Sequence, residues 1–190
     1  VVSRTFTPTG SYSLVAWAFK AAAGGYQAVI STDPYVFTDD FWFGEDTANQ
    51  WYWQPQATGA LTASRTLNRW THLAVTRHVV SGSGVLYVDG TQQASGTGFT
   101  SSLTSRAAMI GDYGTVLGSG GIGMFNGYID YIGVWERALR NDEIRWLYQE
   151  PYAVLLPQSP RVRYFVSPPP PPPSGDYVQT TAMSLLGAGH

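Results

Sequence analysis

The chain has 190 residues, 44% of them apolar and only 13% charged, with a formal net charge of −2. That is enough apolar material for a sizeable core, and it offers no basic field for nucleic acid or anionic lipid. The absence of cysteine excludes disulfides and thiolate metal sites, and no run of about 18 apolar residues is present to span a bilayer. The length suits one domain with an appendage, or two small domains.

Residues 1–10 carry no signal-like segment and close on Pro8-Thr9-Gly10, a turn signal. Ser13 to Phe19 alternates Leu14, Ala16 and Ala18 against Val15, Trp17 and Phe19. Apolar residues on both faces predict a central strand. Another strand is expected over Tyr26 to Ser31. Tyr35 to Phe43 and Asn49 to Gln54 are dense in aromatics and read as a hairpin joined by Gly44-Glu45-Asp46. Phe41 and Phe43 share a face with Trp42 opposite, and Trp51 and Trp53 share a face with Tyr52 opposite.

Leu67 to Gly96 is the organising stretch. Leu67 to Val80 and Val85 to Asp89 are two runs rich in β-branched and aromatic residues, separated by Ser81-Gly82-Ser83-Gly84. They predict a hairpin at the middle of a β-sandwich, with Leu86 and Val88 on the core side and Asp89-Gly90 at a reversal that takes positive φ. Phe99 to Arg106 reads as loop and Ala107 to Ile110 as a short strand. Gly111 to Gly123 holds glycines at 111, 114, 118, 120, 121 and 123 and reads as an exposed loop. No Lys-Ser/Thr follows Gly118-Ser119-Gly120-Gly121-Ile122-Gly123, which argues against a phosphate loop. Met124 to Glu136 returns to strand.

Asn141 to Gln149 is the one convincing helix, with Ile144, Leu147 and Tyr148 on one stripe. Asp142 and Glu143 sit in its first turn, Asn141 is the candidate cap, and Pro151 stops it. Beyond it the periodicity ends. Arg161 to Val166 is strand-like, and Pro168 to Pro173 is an unbroken run of prolines. Six prolines in polyproline II span roughly 19 Å. Ala182 to Leu186 is apolar but too short to form a core. This segment is expected to be an arm docked on a neighbouring subunit by strand addition or by burying Leu185 and Leu186. Its candidate contacts are Arg161, Arg163, Tyr164, Phe165, Pro168, Pro173, Tyr177, Leu185 and Leu186.

The ordered set Trp70…His72-Leu73-Ala74-Val75-Thr76, Leu86-Tyr87-Val88-Asp89-Gly90, Met109-Ile110-Gly111, Phe125-Asn126-Gly127-Tyr128-Ile129-Asp130, Val134-Trp135-Glu136-Arg137-Ala138-Leu139, Glu143-Ile144, Leu147-Tyr148 and Pro151 resembles the laminin-G-like, concanavalin A-like lectin/glucanase jelly-roll family. The likeness is to its pentraxin-like branch and to phage-encoded members, over about residues 11 to 152. It implies an all-β antiparallel jelly-roll sandwich over 1–152, followed by the Pro-rich arm over 153–190. It also implies an edge strand ahead of residue 11, not evident in residues 1–10, and a Ser cap where Arg140 stands.

The family's glucanases act through acids alternating on one strand, and no Glu-x-Asp-x-x-Glu pattern is present. Glu45 and Asp46 face opposite ways if extended, and Glu136 and Glu143 belong to fold motifs, so no enzyme is expected. His72 is expected as a packed strand residue, and with His78 and His190 it forms no triad. Calcium, common among relatives, has Asp33, Asp39, Asp40, Asp46 and Asp112 as candidates but no ligand pattern, so no cofactor is expected. Asp130 is expected to hydrogen-bond a turn. Trp42, Trp51, Tyr52 and Trp53 are the candidate glycan platform. The leading expectation is a decorating protein of a multi-subunit surface, such as a phage virion, anchored by the arm as a homo-oligomer or in an assembly. The alternative is a carbohydrate-binding adhesion module, and either would sit on a virion surface or outside the cell.

Overall fold

A computed structural model describes residues 4–6, 10–32, 41–55, 59–100, 106–112, 124–153 and 155. The strands in chain order are β1 (Arg4–Phe6), β2 (Tyr12–Lys20), β3 (Gln27–Thr32), β4 (Trp42–Glu45), β5 (Gln50–Gln54), β6 (Leu61–Ser64), β7 (Trp70–His78), β8 (Ser83–Val88), β9 (Thr91–Gly96), β10 (Arg106–Ile110) and β11 (Gly127–Trp135). Helix α1 (Asn141–Gln149) follows. They form two antiparallel sheets, ordered β1-β10-β3-β4-β5-β6 and β11-β2-β7-β8-β9. The fold is an antiparallel β-sandwich of the jelly-roll kind.

Alternation decides what lies between the sheets. Leu14, Ala16 and Ala18 of β2, Leu73 and Val75 of β7 and Leu86 of β8 face Val29, Phe43, Trp51 and Trp53 across the sandwich. Tyr12 meets Phe41 and Trp53 edge-on at 5.9 and 6.4 Å, and Phe99 closes against Trp53 at 5.3 Å. Gly84 belongs to β8, not to the turn before it. A Cβ there would fall 2.5 Å from the Trp53 ring, so the glycine serves close packing.

The five-stranded sheet also buries part of its outer face. Val15, Ala74 and Tyr87 pack there against Leu139, Ile144 and Leu147 of the α1 region. Ser13 pins this connection: its Oγ donates to the Arg137 carbonyl at 2.9 Å and accepts from Leu139 N–H at 2.7 Å.

Several expectations change. β1 is the edge strand that residues 1–10 did not betray, pairing with β10 through Arg4↔Ala108. The β4–β5 reversal is Asp46 to Asn49, with Gly44 and Glu45 still in the ladder. Asn49 takes the positive φ (59°), and Asp46 Oδ1 accepts from Gln50 N–H at 2.9 Å. The Asp89-Gly90 reversal has positive φ at both residues, as its residue types predict. The helix cap is Arg140, not Asn141. An arginine side chain cannot accept a hydrogen bond, so Glu143 reaches back to the Arg140 N–H at 2.9 Å instead.

Candidate functional site

α1 leaves one end of the five-stranded sheet's outer face uncovered. Register places Tyr128 of β11 opposite Phe19 of β2, and Phe19 opposite Trp70 of β7. The Phe19 ring lies 5.8 Å from each of the other two, tilted against Tyr128 and edge-on to Trp70. Two strand spacings give a row about 10 Å long. It is open to solvent: Tyr128 is 67% and Trp70 44% exposed.

Polar groups flank the row. Asp130, two residues beyond Tyr128, accepts a hydrogen bond from the Tyr152 hydroxyl. Asp130 therefore serves a side chain from the segment after α1, where a backbone turn had been its expected partner. On the other flank Arg69, next to Trp70, pairs with Asp89, whose Oδ1 also accepts from His72 N–H at 3.0 Å.

Behind the row the aromatics continue inward. Trp17, two residues before Phe19, stacks on Tyr148 of α1 at 5.9 Å and 17°. His72 is wholly buried, 5.5 Å from Trp17 and 5.7 Å from Tyr148. Burial disfavours its charged form and brings its pKa down to about 4. His72 is thus a packed strand residue, as its sequence position suggests.

The residues expected to bind glycan divide differently. Trp51 and Trp53 are fully buried between the sheets and offer no face to a ligand, because their side of β5 opposes the other sheet. Trp42, on the other side, is buried beneath Tyr26 at 5.2 Å. Of the four, Tyr52 alone keeps part of its surface, with its hydroxyl donating to Gln54 Oε1 at 2.7 Å. The arm residues Arg161, Arg163, Tyr164, Phe165, Pro168, Pro173, Tyr177, Leu185 and Leu186 lie outside the described residues.

Glu45 is buried between Lys20 (3.1 Å) and Arg65 (2.8 Å). Burial pushes the Glu45 carboxyl up and the Lys20 ammonium down, each opposed by the other's charge. Lys20 also bonds Gln27 Oε1, which accepts from Asn126 N–H at 2.8 Å. Among the calcium candidates, Asp33, Asp39 and Asp40 lie outside the described residues. Asp46 lies at the β4–β5 reversal and Asp112 just after β10, and no metal-binding group of three His, Asp or Glu converges among the described residues.

A profile of the concanavalin A-like lectin/glucanases superfamily matches residues 1–145. The chain belongs to that superfamily. Comparison with curated protein sequences finds no match. Among solved structures, domain 4 of AbnA, an extracellular arabinanase of Geobacillus stearothermophilus, in complex with arabinotriose, is similar at a TM-score of 0.58 and 19% identity, over 78% of this chain and 68% of that one. A heptameric SAP-like pentraxin of Limulus polyphemus aligns at 0.59 and 14%, over 76% and 72%. A Trypanosoma rangeli sialidase in complex with 2,3-difluorosialic acid aligns at 0.58 and 17%, over 77% of this chain but only 24% of that one, so the chain spans about a quarter of that enzyme. These likenesses are of fold.

In this concanavalin A-like chain most described carboxylates are committed internally. Glu45 is held by its two cations and Asp89 by Arg69. Asp142 pairs with Arg140 at 3.1 Å, and Glu143 is gripped by Arg137 at 2.6 Å. That grip and the Arg140 N–H hold the Glu143 carboxyl down at about 2. The fold is compatible with a protein that does no catalysis. The aromatic row escaped sequence reasoning because its members lie on three strands far apart in the chain. Only the β11-β2-β7 register brings them together.

Proposed function

We propose that the chain is a non-enzymatic carbohydrate-binding module that lays a glycan along the Tyr128–Phe19–Trp70 row. The observation that carries the reading is the row itself: three neighbouring rings on adjacent strands, with Tyr128 and Trp70 open to solvent on either side of a half-buried Phe19. Aromatic faces take the apolar sides of sugar rings, and flanking polar groups read their hydroxyls. The arabinotriose-bound arabinanase domain supports it by fold alone. The module works outside the cell, and its proline-spaced arm joins it to other protein subunits. A decorating role on a virion draws no support from the relatives named here.

The test is a glycan array followed by calorimetry on the hits. Trp70→Ala and Tyr128→Ala should each weaken binding roughly 5- to 30-fold, the ~1–2 kcal/mol of an exposed aromatic anchor. Tyr52→Ala should leave affinity unchanged. Equal affinity in the row variants, or no glycan bound by the intact protein, would overturn the proposal.

A further inference from the structure

We propose that a second cleft on the same outer face, between the β8–β9 reversal and α1, is a subsite for a carboxylated sugar, with Arg145 as the carboxylate's partner. The inference rests on the glycan-binding reading and adds the chemical class of one sugar unit. The cleft has a volume of about 710 Å³ and is lined by Gly90, Thr91, Gln92, Arg145, Tyr148 and Gln149, with acids at Asp89 and Asp142. That volume falls within the range of small-ligand sites, about 300–1,000 Å³.

The charges of the cleft do not cancel. Asp89 is held by Arg69 and by His72 N–H, and Asp142 by Arg140. Arg145 is exposed and has no ion-pair or hydrogen-bond partner among the described residues. One positive charge is therefore left uncompensated on the wall. A guanidinium presents paired N–H groups that match the two oxygens of a carboxylate. A dianionic sulfate or phosphate would meet the two internally held acids with only one free cation to oppose them. A single carboxylate on a neutral, hydroxyl-rich body suits the cleft better. Thr91, Gln92 and Gln149 supply hydroxyl and amide groups for those hydroxyls.

The floor is rigid. Tyr148 stacks on Trp17, and Gly90, at φ 71°, lies so close that a Cβ there would sit 3.0 Å from the Tyr148 side chain. Asp89 on the cleft wall pairs with Arg69, the chain neighbour of Trp70, so the cleft adjoins the Trp70 end of the row. The ligand class is a polysaccharide with a hexuronate unit.

The experiment titrates the intact protein with trisaccharides of galacturonate, glucuronate and mannuronate, each beside its neutral methyl ester. At least one acid should bind tenfold or more tighter than its ester, with the preference shrinking as salt rises. Arg145→Ala should abolish that preference without changing Tm or the affinity for the ester. Equal binding of acid and ester by the intact protein, or a preference that survives Arg145→Ala, overturns the inference. If the acid preference is missing while Trp70-dependent ester binding persists, the cleft fails and the row stands. An Arg145-dependent preference indifferent to Trp70→Ala sinks the row and keeps the cleft. No binding of any of these probes sinks the cleft and leaves the row to be decided by the array.

Discussion

Replacing His72 by phenylalanine isolates the cost of burying an imidazole in this sheet. Its Nδ1 and Nε2 find no hydrogen-bond partner among the described residues, and its ring packs between Trp17 and Tyr148. Burial lowers its pKa from 6.5 to about 4. A base with a lower pKa in the folded state takes up its proton first in the unfolded chain. Between those two values the unfolded state holds more protons, and stability falls as pH falls. The contribution is complete above about pH 6.5 and gone below about pH 4. The drop from 6.5 to about 4, at 1.36 kcal/mol for each tenfold change in proton affinity, gives about 3 kcal/mol, on the order of 10 °C in Tm for a domain of this size. Other groups titrate in the same window, so the quantity to follow is the difference between wild type and His72→Phe. Measured by urea unfolding at pH 7.5, 6, 5 and 4, wild type should lose about 3 kcal/mol relative to the variant across the series. At pH 7.5 the variant should be at least as stable, because phenylalanine keeps the ring contacts and removes two unbonded nitrogens. A wild-type-minus-variant difference that stays flat from pH 7.5 to 4 would refute the assignment.

The Lys20–Glu45–Arg65 group should respond unequally to its members' removal. Glu45→Gln strands two buried cations and should cost about 3–5 kcal/mol, whereas Lys20→Met leaves Glu45 paired with Arg65 and should cost under about 2 kcal/mol. Chemical denaturation would show the reverse order if the group is not held as described. Deleting residues 157–190 should leave Tm within a few degrees, because the two cores are built from residues 12–147. If the arm joins copies of the chain, light scattering should show the full chain associating and the truncated one monomeric; identical masses would remove that role.

Legibility in the sequence followed burial. β2, β7, β8 and α1 were readable because each has a core face that imposes a 2 or 3.6 period, and α1 runs from Asn141 to Gln149 as its stripe suggests. β6 and β9 escaped because Leu61-Thr62-Ala63-Ser64 and Thr91 to Gly96 are short, polar and at or near sheet edges, where little apolar pattern is required. The burial of Trp51 and Trp53 was not legible in the aromatic-dense stretch around them, since density along the chain does not say which side opposes another sheet. Trp70 and Tyr128 carried no signal of their own until pairing with β2 set them beside Phe19. Arg145 was invisible as a candidate because nothing local separates an arginine with no partner among the described residues from the paired Arg137 and Arg140.

The burial of Lys20 has a practical corollary. It is the sole lysine of the chain, and its side chain is sealed from solvent against Glu45. Succinimidyl esters and other acylating reagents therefore have no lysine to reach while the sandwich is closed. Acylation at Lys20 should instead mark molecules that have opened, so mass spectrometry after a timed pulse would turn one residue into a clock for unfolding.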